Sequence, residues 1–504
     1  GIRVVDLATG DIIDVGEIGD MQADSFMMVH SLGKLVTEQA GFDDFLSQIP
    51  ENKIKSRTYL ARVDEFALGS GYQGLDGWDM ALESGLIDGL IEKGLTIAEK
   101  LDHVAPRDPS EYVGNSPKDA FYMHGIDLDD LKLIQSGVGA PSLLTYQIVE
   151  FSQPALSVII YLRMIDLKTM KVLSSELIKA GDNSDNLARD EVEAFNDSYD
   201  IVKAVIGFPE SLFNKDVKLG LLNADVLNIT GQYKYPPSKK ALAIENGIVS
   251  GLIDNGGYEK ESPVIIEKTS GFKLKFPSVF NSIVFNTSPV LYEDWSEFEK
   301  ASGCNVLFVY RYIPENGIYI KVVDASDNGK ILYSNAFVFN GRTDKGIIEN
   351  HNFVAEKLIS TIDLNNIRGK NLMIVDGDKH AVEAKQYFNI QNTFNEMNLA
   401  IEEGMVSGLV ENNIDVFEKL KTLYLKRPWM YDDKIFNLNP LYLDDWNQLV
   451  EFGVERLIVY NNLIPYETLT PIQPDYQKIA LGIRVVDLAT GDIIDVGEIS
   501  NLGL

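Results

Sequence analysis

Gly1 to Ile18 reads GIRVVDLATGDIIDVGEI, and Gly482 to Ile499 repeats it letter for letter, 481 residues later. Chance does not produce an identity that long, and selection on a fold alone would allow conservative swaps. A repeat inside one chain is read before any other feature, because missing it misassigns the whole fold. The identity points to a recent duplication or to a window cut from a longer tandem array, with an engineered duplication of a terminal strand as the plainer alternative; the array is the favoured reading. Residue 1 is a glycine inside a strand-like pattern. The chain is therefore expected to be one unit of a longer polypeptide, overlapping its neighbour at the seam. The segment itself reads as a β-hairpin. β-Branched residues flank the tip ATGD, where Gly10 or Gly491 can supply a positive φ. The aspartate before the tip can accept hydrogen bonds from turn amides.

Weaker relatives of the hairpin lie inside the chain. YLRMIDLKTMKVL starts at Tyr161 and YIKVVDASDNGKIL at Tyr319. The aligned aspartates Asp6, Asp166, Asp324 and Asp487 are 160, 158 and 163 residues apart. A second signature keeps the same interval: ALESGLIDGLIEKG from Ala81, AIENGIVSGLIDNG from Ala243 and AIEEGMVSGLVENN from Ala400. A third joins an acidic pair to a strand tyrosine, at Asp130 and Tyr146, Asp294 and Tyr310, Asp445 and Tyr460. Three signatures in constant order imply a triplicated domain of about 160 residues, an ordinary domain size. The expected division is a closing hairpin of a preceding repeat at 1–18, then repeat domains at 20–181, 182–341 and 342–500, which should superpose.

Each domain opens with apolar residues at helical spacing, over 25–39, 188–205 and 346–362. Extended segments follow at 54–66, 217–229 and 371–376. Next come the signature helix, a short helix at the acidic pair, a buried strand and the hairpin. Helices interleaved with strands predict an α/β fold, three tandem domains each with a small mixed sheet covered by helices. The signature helix carries glycine pairs at Gly85 and Gly89, Gly247 and Gly251, Gly404 and Gly408. Such a pair marks a membrane dimer only in an unbroken apolar run, and acidic residues break this one. The glycines are read as close packing of a helix on a sheet, each at a cost of roughly 1 kcal/mol against Ala.

Net charge is −30, from 45 basic and 75 acidic residues. That balance repels phosphate, so nucleic acid is not an expected partner. No apolar run reaches the length of a membrane-spanning helix. Cys304 is the single cysteine, so no intrachain disulfide forms, and its setting SGCNVLFV predicts a buried thiol at a strand start.

The signature helix running on to Ile97–Lys100 or Val416–Lys419, the strand with its tyrosine and the xRvvDxxTGxii hairpin together resemble the bacterial envelope assembly domain. That domain is shared by curli-secretion (CsgG-like) lipoproteins, peptidoglycan-synthase activator lipoproteins and flagellar outer-membrane accessory proteins, with a fold similar to the N-terminal domain of TolB. The resemblance implies an α/β fold and a place in the cell envelope, periplasmic or at the extracellular surface. Two features depart from the curli channel. The link from Tyr146 to Tyr161 is too short to insert a spanning hairpin. The linker 101–127 holds Pro106, Pro109 and Pro117, which disfavour central strands. A pore is not expected, and the family's lipidated N-terminal cysteine has no counterpart in this sequence.

The search for chemistry assigns no catalytic, cofactor-binding or metal residue. His30, His103, His124, His351 and His380 show no metal-ligand spacing. SGYQG at Ser70 to Gly74 reads as a loop. Asp129–Asp130, Glu293–Asp294 and Asp444–Asp445 could do acid–base work, yet they stand where helix N-termini are expected and read as caps. Asp324 to Gly329, DASDNG, starts like a calcium loop but lacks the downstream glutamate, so it reads as a hairpin tip. Asp376 to Asp378 reads as a turn. No cofactor is expected. The expected function is a non-enzymatic structural repeat, one unit of a tandem array that forms a filament, ring or sheath and has copies of itself as partners. The alternative is an envelope adaptor that binds a secretion, cell-wall or flagellar component. At the seam, residues 1–18 are expected to keep the hairpin shape of 482–499 but to lack most of their sheet partners.

Overall fold

The computed structural model describes residues 2–6, 9, 11–16, 24–62, 77–99, 128–152, 156–182, 184, 187–204, 208–209, 212–213, 216–223, 239–255, 264–267, 295–313, 317–340, 346–376, 390–418, 443–462 and 479–501. The first strands are β1 (Ile2–Asp6) and β2 (Asp11–Gly16). The first cycle of elements is α1 (Asp24–Glu38), α2 (Ala40–Ser47), α3 (Glu51–Ile54), β3 (Arg57–Arg62), α4 (Gly77–Glu92), β4 (Thr96–Ala98), α5 (Leu128–Leu133), β5 (Ser142–Ser152) and the hairpin β6 (Ser157–Asp166) and β7 (Lys171–Gly181). The second is α6 (Arg189–Ala204), β8 (Lys218–Asn223), α7 (Lys239–Asn255), β9 (Val264–Ile266), α8 (Trp295–Ser302), β10 (Val306–Ile313), β11 (Gly317–Asp324) and β12 (Lys330–Val338). The third is α9 (Gly346–Thr361), β13 (Leu372–Asp376), α10 (Ile390–Glu411), α11 (Leu443–Glu451), β14 (Arg456–Asn462), β15 (Ala480–Asp487) and β16 (Ile493–Ser500). The fold is mixed α/β.

Two compact units divide the chain, Gly1–Lys218 with Tyr235–Phe272, and Leu219–Lys234 with Lys273–Leu504. In the first, the strand order is β1-β2-β4-β3-β5-β6-β7-β9. β3 runs parallel to β4 and β5, and the remaining pairs are antiparallel. In the second unit β8 runs parallel to β10, which continues into β11 and β12. β13, β14, β15 and β16 follow one another in a sheet. Residues 416 and 417 bridge β12 and β13, through Lys330–Phe417 and Leu372–Val416. These bridging residues hold the position that β4 holds between β2 and β3.

Alternation along the strands sends side chains to both faces. Leu60, Leu144 and Tyr146 join a core with Val29, Leu32 and Val36 of α1 and Leu82, Leu86 and Leu90 of α4. Their neighbours Tyr59, Ala61 and Leu143 pack instead with Leu131 of α5 and with Ile134 and Val138 after it. The third cycle repeats this second face, with Met373, Val375, Leu457 and Val459 against Leu449 of α11.

The glycine pairs correct one expectation. They pack the signature helix on the opening helix, not on a sheet. A Cβ on Gly85 would stand 1.8 Å from the carbonyl oxygen of His30, and on Gly404 2.5 Å from that of His351. Gly247 faces the Phe195 oxygen at 2.3 Å. The helix pairs α1 with α4, α6 with α7 and α9 with α10 therefore approach backbone to backbone.

A second correction concerns the IAEK and VFEK sequences read as helix ends. Gly94, at φ +90, ends α4, and Thr96–Ala98 is a separate strand. A third concerns residues 1–18. β2 does have a sheet partner, since Asp11 pairs with Ala98 and Ile12 with Ile97. β4 therefore lies between β3, to which it is parallel, and β2, to which it is antiparallel.

Candidate functional site

Among the described residues, buried charged groups gather where the hairpins ending in β7 and β12 meet the cycles that follow them. The four hairpins share a register. Each slips by one residue at the same place, between Val4 and Val5, Met164 and Ile165, Val322 and Val323, Val485 and Val486. Three residues before the tip aspartate stands a cation: Arg3, Arg163, Lys321 and Arg484.

Arg163 is buried. Its guanidinium donates to Glu267 Oε2 at 2.8 Å and to Asn246 Oδ1 at 2.6 Å. Asn246 comes from the signature helix α7, and Glu267 follows β9. Lys321 repeats the arrangement. Its ammonium lies 2.7 Å from Glu403 on α10 and 2.7 Å from Glu418 beside the 416–417 bridge. Burial opposes the Lys321 charge, but the two carboxylates outweigh it and hold its pKa above that of ordinary lysine. Burial pushes Glu403 up, and Glu418 adds to the shift while Lys321 opposes it. Each clamp joins a hairpin, a signature helix and a short strand that lie far apart in sequence.

Hydroxyl groups also tie the signature helix to the hairpin. Ser250 of α7 donates to the Ser175 carbonyl at 2.7 Å. Ser407 of α10 lies 3.1 Å from Ser334 Oγ and 3.0 Å from His351 Nε2. Burial lowers the His351 pKa to about 4, so the ring is neutral. The short strands add backbone bonds, Glu267 N–H to the Met170 carbonyl and Glu418 N–H to that of Gly329, both 2.8 Å. The glutamate inside the helix signature is buried too. Tyr146 donates to Glu83 at 2.6 Å, and Tyr460 to Glu402 at 3.4 Å. On β7, burial and the charge of Asp254 raise Glu176 to about 7.

Residues singled out in the sequence fall elsewhere. Asp129 and Asp130 lie in the first turn of α5, and Asp444 and Asp445 in that of α11. Glu293 and Asp294 lie outside the described residues, as do Asp378, His103, His124, His380 and the loop at 70–74. Asp324 is a hairpin tip: its Oδ1 accepts from Ser326 N at 2.9 Å and Asp327 N at 3.2 Å. Asp166 and Asp487 bond Lys168 N and Ala489 N in the same way. Gly491 has φ +80 at its tip, while Gly10 lies outside the described residues. Cys304 is buried, two residues before β10. Among the described residues no group of three His, Cys, Asp or Glu side chains is placed to hold a metal ion. No described helix is long and apolar enough to cross a membrane.

Sequence reasoning missed the clamps. The signal was present, because the cation before the tip and the xEK glutamate both recur at the interval of the other signatures. The signal is hidden because the xEK segment adjoins the signature helix in sequence, while the structure makes it a separate short strand.

No protein-family model matches the chain, and no curated protein does. Among solved structures, the C-terminal domain of LpoB from Salmonella enterica aligns at 14% identity and a TM-score of 0.18, over 30% of this chain and 96% of that one. Lipoprotein GNA1162 from Neisseria meningitidis aligns at 15% identity and a TM-score of 0.17, over 26% and 84%. The LpoB C-terminal domain from Escherichia coli aligns at 13% identity and 0.18, over 30% and 96%. At TM-scores this low the likeness carries no functional argument.

Proposed function

We propose that this chain is a non-enzymatic structural repeat, one unit of a tandem array that builds a filament, ring or sheath at a bacterial envelope. One observation carries the reading. Each hairpin that precedes a cycle is covered by the signature helix and short strand of that cycle: α4 and β4 on β2, α7 and β9 on β7, α10 and residues 416–417 on β12. At the β7 and β12 seams, buried cations, carboxylates and hydroxyls join the hairpin to the helix that covers it. A repeat protein built this way gains its stability from contacts between neighbours and grows in one dimension.

The test is a fusion of two units that shares one hairpin, residues 1–499 followed directly by 19–504. It should be a stiff, elongated particle in the electron microscope. Its length should double that of the single chain, and both units should unfold together. Two beads joined flexibly, each unfolding as it does alone, would remove the reading.

A further inference from the structure

Two positions on the second strand of each hairpin occupy equivalent places in the shared register. They are Ile12 and Val15 on β2, Val172 and Ser175 on β7, Ile331 and Ser334 on β12, and Ile493 and Val496 on β16. The shared register makes them equivalent, since Arg3 pairs with Val15, Arg163 with Ser175, Lys321 with Ser334 and Arg484 with Val496. The first three pairs are buried. In the fourth, Ile493 is 53% exposed and Val496 64%. The contrast is sharpest against the first pair, because the eighteen residues around it are the same letters. Ile12 is 3% exposed and Val15 8%, both in the core that holds Leu82, Leu86 and Leu90 of α4. One sequence therefore occurs in one chain both covered and bare.

α9 packs on β16 through Thr361 against Gly497. The bare face is the one that carries Ile493 and Val496. On β7 and β12 the equivalent face is held by α7 and α10.

We propose that this face of β16 is a docking site for a second copy of the chain, specifically for its signature helix Gly77–Glu92 and short strand Thr96–Ala98. In that copy the hairpin of residues 482–499 takes the place of the resident hairpin of residues 1–18. Each contact is already defined by the resident hairpin: Ile493 replaces Ile12 opposite Ile97, Val496 replaces Val15, and Asp492 replaces Asp11, which pairs with Ala98 and forms an ion pair with Arg57. The contact is head to tail, so it propagates as an open chain and does not close as a two-fold dimer. This inference rests on the reading of the cycles as members of an array, but it requires more, namely that a hairpin from another molecule can displace the tethered one.

The test uses the full chain with Asp492→Cys and Ala98→Cys in a Cys304→Ser background. It is made with residues 1–18 intact and with Ile12→Asp and Val15→Asp, which release the resident hairpin. On oxidation the released chain should give a ladder of disulfide-linked dimers, trimers and longer species. The intact chain at about 100 μM should give about tenfold less, since its tethered hairpin competes at an effective concentration on the order of 1 mM. Adding Ile493→Asp and Val496→Asp should abolish the ladder. A released chain that is folded by circular dichroism but forms nothing beyond dimers overturns the proposal, as does a ladder that survives those two aspartates. If the released chain does not fold, the intact chain decides: a slow ladder supports docking, and none after prolonged incubation overturns it. Asp11→Cys with Ala98→Cys separates the two readings. If that pair closes within one chain while the intermolecular pair does not, docking fails and the array stands. If neither closes, the seam is misassigned and both fail.

Discussion

Lys321 stands between two buried carboxylates, and its removal tests whether the clamps are structural. Lys321→Met removes the ammonium that lies 2.7 Å from both Glu403 and Glu418 in the core, which should cost about 3–5 kcal/mol in urea unfolding. Replacing all three with apolar residues should recover most of that loss, because a buried ion triad is worth little against good apolar packing. Two other buried groups give opposite responses to pH. Glu176 is raised to about 7 by burial and by Asp254, so between its usual range and pH 7 the folded state holds the extra proton. Its contribution is present at low pH and is lost as pH rises through about 7. His351 is lowered to about 4 by burial, so its contribution is present above pH 6.5 and is lost as pH falls through about 4. Glu176→Gln should therefore flatten the neutral limb of the melting-temperature profile, and His351→Gln the acid limb. If either substitution shifts the profile uniformly, that group is not the one titrating.

Among the elements, the helix pairs depend on glycine. A Cβ at Gly247 would sit 2.3 Å from the Phe195 carbonyl oxygen, and at Gly404 2.5 Å from that of His351. Neither contact can be relieved by turning a side chain, since backbone lies on both sides. Gly→Ala at either position should cost about 1–3 kcal/mol despite the better helix propensity of Ala. The same change at Gly137, where a Cβ meets nothing within 4 Å, should cost far less. Comparable losses at all three sites would show that the close approach is not what the glycines serve. Sequence spacing shows that a helix needs a flat spot, but not which element lies against it.

Across the whole molecule, the sequence disclosed the cycle of elements because each part carries its own pattern. The helices keep apolar spacing, and the hairpins keep a tip aspartate with β-branched flanks. The three-residue strands β4 and β9 have no room for a pattern, so they were invisible. With them went the clamps, since Arg163 and Glu267 lie 104 residues apart and meet only through that strand. The repeat of residues 1–18 was plain, yet only burial distinguishes its two copies, and this difference yields a prediction with an internal control. Ile12 and Ile493 have the same neighbours in sequence and the same partner in register, Val5 and Val486 respectively. They differ in what lies above them. Ile12→Ala removes side-chain volume from a packed core and should cost about 2–5 kcal/mol. Ile493→Ala alters a half-exposed position and should stay within about 0.5 kcal/mol. Local propensity cancels between the two, so the difference in urea unfolding reports the covering helix and strand alone. Equal costs would mean that the two hairpins share one environment, and the bare face of β16 would lose its claim to a partner. In the shared-hairpin fusion, Ile493→Ala at the internal seam should rise to the cost of Ile12→Ala, because the next α4 then covers it.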